Sequence, residues 1–205
     1  MSKIKFVYFD LGDVLFEWKD GLKGLSELSK KSYQETHDIF EKEKHDNDAI
    51  LGKITPQELW QLLKKELDID KDTEIDDFAD WWSDHFKPIL EMHDFVREVS
   101  KNYKVGILTN IYHEIIFHAF RKGHIPEVNY ETIIQSCDLN LAKPDEALFK
   151  HAEKVAGVLA SEILFIDNKA ENIDKARSLG WQAILYDVNN PQKSVAEIKR
   201  ILGLN

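Results

Sequence analysis

The sequence predicts an α/β protein, a Rossmann-like core of parallel strands that carries an inserted, all-helical cap domain. Short, continuously apolar runs alternate with amphipathic helical patterns, which is typical of parallel strands covered on both faces. One long stretch, residues 16–88, contains only helical patterns. The chain has 205 residues, 43% of them hydrophobic and 31% charged, a composition typical of a globular protein with a sizeable core.

The predicted core consists of residues 1–15 and 89–205. Its predicted strands are Ile4–Phe9, Val105–Leu108, Ile163–Ile166 and Ala183–Tyr186, with a weaker fifth at Thr132–Gln135. Its predicted helices are Ile89–Lys101, Glu114–Lys122, Pro144–Val158 and Ala170–Leu179. Pro144 is expected at the first helical position, and Gly180 is expected to end the last of these helices.

Residues 16–88 are predicted to form a helical lid over the strand ends. The helical patterns are Leu22–Lys30, Tyr33–Lys44, a segment from Thr55 to Glu66, and Asp76–Phe86. Thr55, Pro56 and Glu58 form a clear helix start, since Thr caps the helix, Pro suits its first turn, and Glu follows the cap by three residues.

Charge and composition exclude several classes of protein. The formal net charge is −10 and no basic run is present, so we expect no nucleic-acid partner. No segment resembles a signal peptide or a membrane span, so we expect a cytoplasmic protein without a membrane partner. The single cysteine, Cys137, excludes internal disulfides and multi-cysteine metal sites.

Polar side chains follow three of the predicted strands, where each strand ends. Asp10 follows the first, Thr109-Asn110 the second and Asp167-Asn168 a third, while Lys143 precedes a helix start. The carboxyl ends of parallel strands meet at one edge of a sheet, where ligands bind. Two carboxylates can hold Mg²⁺, and a lysine with a hydroxyl can hold phosphate oxygens. This combination favours phosphoryl transfer.

These motifs together resemble the haloacid dehalogenase (HAD) superfamily in order and spacing, over essentially the whole chain. They are Asp10-Leu11-Gly12-Asp13-Val14, Leu108-Thr109-Asn110, Lys143-Pro144, and Phe165-Ile166-Asp167-Asn168 with Glu171-Asn172. The helical insert resembles that family's C1-type cap. The first two motifs look closest to the sugar-phosphate (α-D-glucose-1-phosphate) phosphatase-like branch. The resemblance implies Mg²⁺-dependent hydrolysis of a small phosphomonoester, a sugar phosphate or similar metabolite.

The resemblance also implies a role for each motif residue. Asp10 would attack phosphorus and form an aspartyl-phosphate. Mg²⁺ would be bound by Asp10, the backbone carbonyl of Gly12, and Asp167. The phosphoryl group would be bound by the Gly12 loop, Thr109, the backbone N–H of Asn110, and Lys143, with Thr109 and Lys143 also catalytic. Asn168, Glu171 and Asn172 would support the metal site.

Trp18 is a further candidate for the substrate pocket. It lies just past the predicted nucleophile strand, where the chain enters the helical insert. Together with Glu17 it is expected to line the pocket that receives the body of the substrate.

Two positions depart from the family pattern. Gly12 stands where phosphatases typically carry a second aspartate, an acid/base group that contributes about 10²–10⁴ in rate. Asp13 is expected to point away from the site on an extended segment. Asn168 stands where another Asp is common, which reduces the charge available for a metal. We therefore expect activity that is weak or dependent on the leaving group.

Three alternatives remain open from the sequence. The first is a catalytically weak phosphate-binding or regulatory HAD-like protein, motivated by Gly12 and Asn168. The second is a haloacid dehalogenase-type hydrolase, which also lacks the second aspartate but needs no Mg²⁺; Asp167 and Lys143-Pro144 favour phosphate over halide. The third is a receiver-type signalling domain, disfavoured by the helical insert and by an acceptor aspartate on the first strand.

Overall fold

The protein is built on a five-stranded sheet, as seen in a computed structural model that describes residues 3–204. Its strands are β1 (Phe6–Phe9), β4 (Lys104–Thr109), β5 (Tyr130–Gln135), β6 (Ile163–Asp167) and β7 (Gln182–Leu185). They lie in the order β5-β4-β1-β6-β7, and every neighbouring pair is parallel. The predicted α/β class is confirmed, and the weakest predicted strand proves to be the edge strand β5.

Helices cover both faces of this sheet. They are α5 (Leu90–Val99), α6 (Ile115–Arg121), α7 (Ser136–Leu139), α8 (Glu146–Ala156), α9 (Ala170–Ser178) and α10 (Pro191–Leu202), with a 3₁₀ helix at Ala160–Glu162. Side chains of β1 alternate between two cores: Val7 and Phe9 enter one cluster, Phe6 and Tyr8 the other. Burial on both faces explains why β1 is continuously apolar in sequence.

Two expectations about the core helices were wrong or incomplete. The helix predicted from Pro144 begins at Glu146, because the Asp145 side chain accepts a hydrogen bond from the Ala147 N–H (2.9 Å) and caps it. Helices α7 and α10 were not predicted. A four-residue helix such as α7 is too short to produce a recognisable period.

The segment between β1 and α5 begins and ends in a two-stranded ribbon. Strands β2 (Phe16–Glu17) and β3 (Lys87–Pro88) pair antiparallel where the chain leaves and re-enters the core, although only helices were expected there. Between them lie α1 (Asp20–Ser29), α2 (Tyr33–Asp46), a 3₁₀ helix (Ala49–Leu51), α3 (Pro56–Glu66) and α4 (Phe78–Asp84). The division into separate domains at residues 16 and 88 stays a prediction. No described helix is long and apolar enough to cross a membrane.

The start of α3 follows the predicted capping pattern. The Glu58 N–H donates to Thr55 Oγ1 at 3.1 Å, and the Thr55 N–H donates to a Glu58 carboxylate oxygen at 2.7 Å. Pro56 is the first helical residue, where its missing N–H costs nothing. Two N–H groups that the helix cannot satisfy itself are therefore paired.

We predict that Thr55→Ala lowers the free energy of unfolding by about 1 kcal/mol, because the Glu58 N–H loses its acceptor. Urea unfolding followed by circular dichroism measures the change. Thr55→Ser keeps the hydroxyl and is the matched control, so it should stay close to wild type. Equal losses in the two variants would show that the capping hydroxyl is not the source of the stability.

Candidate active site

A cavity of about 180 Å³ lies at the carboxyl edge of the sheet, between the strand ends and the helical insert. Its polar lining, together with the buried Asp167 that contacts Lys143, forms the polar floor: Asp10, Thr109, Asn110, Lys143, Asn168 and Asn172, with Gly12, Asp13 and Lys169 beside them. Its apolar lining, the apolar wall, consists of Phe16, Trp18, Ile50, Trp82, Phe86, Ile111 and Ile115. Residues distant in sequence thus converge on one pocket, as the motif spacing predicted.

The centre of the polar floor is a lysine held by two carboxylates. The Lys143 ammonium lies 2.8 Å from Asp10 Oδ1 and 2.7 Å from Asp167 Oδ2, and it donates to the Leu108 carbonyl at 2.9 Å. The Lys143 and Asp167 side chains are almost completely buried. A buried ammonium needs this many acceptors, since an unpaired charge in the interior is strongly destabilising.

Asn110 holds the backbone of Lys143 in place. Its side-chain amide donates to the Lys143 carbonyl at 2.9 Å and accepts from the Lys143 N–H at 2.8 Å. Asn110 follows β4 directly, so this pair of hydrogen bonds connects the lysine loop to the strand that carries Thr109. The side chain of Asn110 therefore has a positioning role that the sequence did not predict.

The environment shifts the pKa of both charged partners. Burial raises the pKa of the Asp10 carboxyl; the neighbouring charge of Asp167 adds to the rise, and Lys143 opposes it. Burial alone would lower the pKa of Lys143, but the charges and hydrogen bonds of Asp10 and Asp167 outweigh it and raise that pKa. The lysine is therefore a permanent cation at neutral pH.

Asp167 and its neighbours offer an oxygen-rich position beside Asp10. Asp167 Oδ1 accepts from the Lys169 N–H at 2.7 Å, and Oδ2 accepts from the Asn172 amide at 2.9 Å. The side-chain oxygens of Asn168 and Asn172 are buried without a hydrogen-bond partner. Two carboxylates and orphaned amide oxygens are the donor set that Mg²⁺ prefers, so the residues present fit this metal.

The position of Asp13 differs from the expectation. Asp13 lines the cavity, because the chain turns sharply after Leu11 and Asp13 adopts a left-handed conformation with φ of 58°. Its N–H donates to the Phe16 carbonyl at 2.7 Å, and its carboxylate lies 3.0 Å from the Lys19 ammonium. The expectation that Asp13 points away from the site was wrong, because this segment is not extended.

The other predicted residues divide into those at the cavity and those outside it. Trp18 lines the cavity as expected, half-buried above Gly12. Glu17 is exposed and does not line it, so that part of the expectation was wrong. Glu171 is exposed on α9 and is not among the lining residues either, so the structure does not bring it to the site.

Three residues at the site had no clear signal in the sequence. Ser136 Oγ accepts from the Ile111 N–H at 2.9 Å and donates to the Ile50 carbonyl, which connects the core loop to the insert. The position of Ser136 directly after β5 was the available indication in the sequence that it lies near the site. Lys44 and Tyr112 line the cavity near the wall. Burial and the charge of Glu41 raise the pKa of Tyr112, so its hydroxyl keeps its proton.

Known proteins of similar sequence and fold include phosphatases. A sesquiterpene phosphatase of Aspergillus oryzae, astK, is 26% identical over 206 residues, covering 98% of each chain. A predicted HAD-like family hydrolase of Porphyromonas gingivalis superposes with a TM-score of 0.78 at 18% identity over 100% of each chain. The HAD family enzyme bt-2542 of Bacteroides thetaiotaomicron, solved with magnesium and inorganic phosphate, gives a TM-score of 0.74 at 21% identity, covering 90% of this chain and 95% of that one.

The match to a family model covers most of the chain. The family model described as haloacid dehalogenase-like hydrolase matches residues 7–186, which span the sheet from β1 through β7 and include all four motifs. The solved structures agree with this match in fold. The chain therefore belongs to the haloacid dehalogenase-like hydrolases.

Proposed function

We propose that this hydrolase is a Mg²⁺-dependent phosphatase that cleaves small phosphomonoesters through an aspartyl-phosphate on Asp10. The observation that carries the proposal is the buried Asp10–Lys143–Asp167 cluster at the floor of the cavity, with Thr109 beside it. Two carboxylates suit a divalent cation, and an ammonium with a hydroxyl suits phosphate oxygens. Positioning and charge neutralisation of this kind are what phosphoryl transfer requires.

The proposed reaction has two steps. The Asp10 carboxylate attacks phosphorus, the bond between phosphorus and the ester oxygen breaks, and the departing alkoxide takes up a proton from solvent water. Water then attacks the aspartyl-phosphate at phosphorus and gives a proton to solvent, which releases inorganic phosphate and restores the Asp10 carboxylate. Both steps shift negative charge among the phosphoryl oxygens, and the permanent cation of Lys143 stabilises it.

Asp10, Asp167 and the Gly12 carbonyl would hold the magnesium, with Asn168 and Asn172 supporting them. When bound, the cation neutralises phosphoryl charge and orients the phosphoryl group towards Asp10. Thr109, the Asn110 N–H and Lys143 would bind the remaining oxygens. The magnesium and phosphate in the Bacteroides enzyme and the name of the Aspergillus relative support this proposal.

The finer expectations from the motif resemblance stay predictions. They are a C1-type cap, cytoplasmic action and membership of the sugar-phosphate branch, in which the alcohol is a sugar. The proposed chemistry needs none of them, because it is carried by the polar floor alone.

Removal of the nucleophile tests the mechanism. We predict that Asp10→Asn lowers phosphate release from acetyl phosphate by at least about 10³-fold, since no other group replaces a nucleophile. The matched control is Asp94→Asn, the same substitution at a side chain that is 81% exposed and paired with Arg97. It should match wild type. Retained activity in Asp10→Asn would exclude the aspartyl-phosphate.

The absence of a carboxylate at position 12 predicts which step is slow. With 4-nitrophenyl phosphate the departing group needs no proton, so the first step is fast while the attack of water is not assisted. We predict a stopped-flow burst of about one nitrophenolate per active site, followed by slow turnover. A linear progress curve from the first turnover would show that water attack is not rate-limiting.

The metal site predicts a specific defect for Asp167→Asn. Loss of one carboxylate should raise the Mg²⁺ concentration for half-maximal activity at least about tenfold, because hard cations depend on charged oxygen ligands. A Mg²⁺ titration after chelation with EDTA measures it. Asp138→Asn, at an exposed aspartate outside the cavity, is the control. Full activity of the wild type in EDTA, or halide release from a haloacid without metal, would contradict the proposal.

A further inference from the structure

The apolar side chains of the cavity wall take no part in the proposed reaction. The side chains of the apolar wall are aromatic or aliphatic. Phosphorus bound at the floor would place the alcohol part of the substrate against this wall. The side chains of the wall would therefore determine which alcohol the enzyme accepts.

The aromatic side chains of the wall pack on one another. Phe16 and Phe86 stack with ring centroids 4.4 Å apart and planes within 8° of parallel, where β2 and β3 join the insert to the core. Trp82 stacks on Phe40 with ring centroids 4.8 Å apart, and its ring centroid lies 6.3 Å from that of Trp18. Interlocked rings of this kind present a preformed apolar surface, so little ordering is needed when a ligand binds.

A glycine on α1 fixes the position of this surface. A Cβ atom at Gly21 would lie only 2.7 Å from Cζ3 of Trp82, closer than packed atoms approach. The absence of a side chain therefore lets the indole lie directly on the backbone of α1. Trp82 is 3% exposed, so nearly all of its side chain packs against neighbouring groups.

Several hydrogen-bonding groups outside the floor are already paired. Among the lining residues within the described range 3–204, the side chains outside the floor that carry a polar atom are Asp13, Trp18, Lys44, Trp82, Tyr112 and Lys169. The Asp13 carboxylate pairs with the Lys19 ammonium, and the Lys44 ammonium pairs with the Glu41 carboxylate. The hydroxyl groups of a sugar that face the aromatic rings would lose water without gaining a partner, which is unfavourable. An apolar body loses nothing of that kind and gains from leaving water.

The cavity is also small. Its volume of about 180 Å³ is below the roughly 300 Å³ at the lower end for drug-sized ligands. Part of that space is needed for the phosphoryl group. The remainder suits a single aromatic ring or a short branched chain.

We propose that the substrate is the phosphate monoester of a small apolar alcohol, whose aromatic ring or branched hydrocarbon chain packs on Trp18, Trp82, Phe16 and Phe86. This inference rests on the proposed phosphatase function and replaces the sugar of the motif resemblance by an apolar group. Specificity then comes from burial against the wall, while the polar floor recognises the phosphoryl group common to all substrates.

A comparison of four esters with the same type of leaving group tests the inference. Benzyl phosphate and 3-methylbutyl phosphate are compared with glucose 6-phosphate and glycerol 3-phosphate, all esters of primary alcohols, under saturating Mg²⁺. We expect kcat/KM to be at least about tenfold higher for the two apolar esters, the gain typical of burying a few methylene groups. Acetyl phosphate, whose acyl group is too small to cover the wall, reports the phosphatase reaction alone.

A wall variant gives an independent readout. Ile50 is half-buried, so Ile50→Ser should fold, and we expect it to reduce the preference for benzyl phosphate over glucose 6-phosphate several-fold. Val155→Ser, at a 45% exposed position on α8 outside the cavity, is the control and should keep the wild-type preference. Thermal unfolding of both variants verifies that they are folded.

The outcomes separate the two proposals. Equal or higher kcat/KM for the sugar and glycerol esters, with acetyl phosphate hydrolysis that Asp10→Asn abolishes, overturns the apolar substrate and leaves the phosphatase function standing. An unchanged preference in a folded Ile50→Ser variant also contradicts the proposed role of the wall in substrate selection. If wild type hydrolyses no acetyl phosphate in Mg²⁺, both proposals fall.

Discussion

The active site depends on one buried ion cluster, in which Lys143 is held between Asp10 and Asp167. Asp10 is the first residue after β1, and Asp167 is the last residue of β6. Lys143 lies in the loop before α8. Removing Lys143 would leave two buried carboxylates without compensation, and breaking a buried pair costs about 3–5 kcal/mol in comparable cases. The cluster therefore couples the binding chemistry to the relative positions of β1, β4 and β6.

The same cluster explains why a cation and a phosphate would bind together. Two carboxylates and one ammonium leave the floor with one net negative charge, which repels a phosphate dianion. A divalent cation reverses that sign, and the orphaned oxygens of Asn168 and Asn172 give it further ligands. In the proposed function the metal is thus needed for substrate binding as well as for chemistry, although the ammonium is already in place.

The polar floor and Trp18 could be predicted from the sequence, whereas the rest of the wall could not. Asp10, Thr109 and Asp167 directly follow or end apolar runs, so parallel-strand topology was enough to bring them together. Helical periodicity indicates that one face of α4 is buried, but it does not say against what, so the place of Trp82 in the cavity had no signal. The predicted direction of Asp13 was wrong because Asp13 itself adopts a left-handed conformation that turns the chain locally. A turn of this kind leaves no periodic signal in the sequence.

Gly12 and Trp18 are neighbours in the site. A Cβ at position 12 would lie 3.4 Å from Cδ1 of Trp18, which is an ordinary packing distance, so a side chain at position 12 would contact the indole. The position where phosphatases typically carry a second aspartate therefore lies beside aromatic surface in this protein. In the proposed function, slow attack of water follows from the missing carboxylate at position 12, and preference for an apolar alcohol follows from the aromatic surface next to that position.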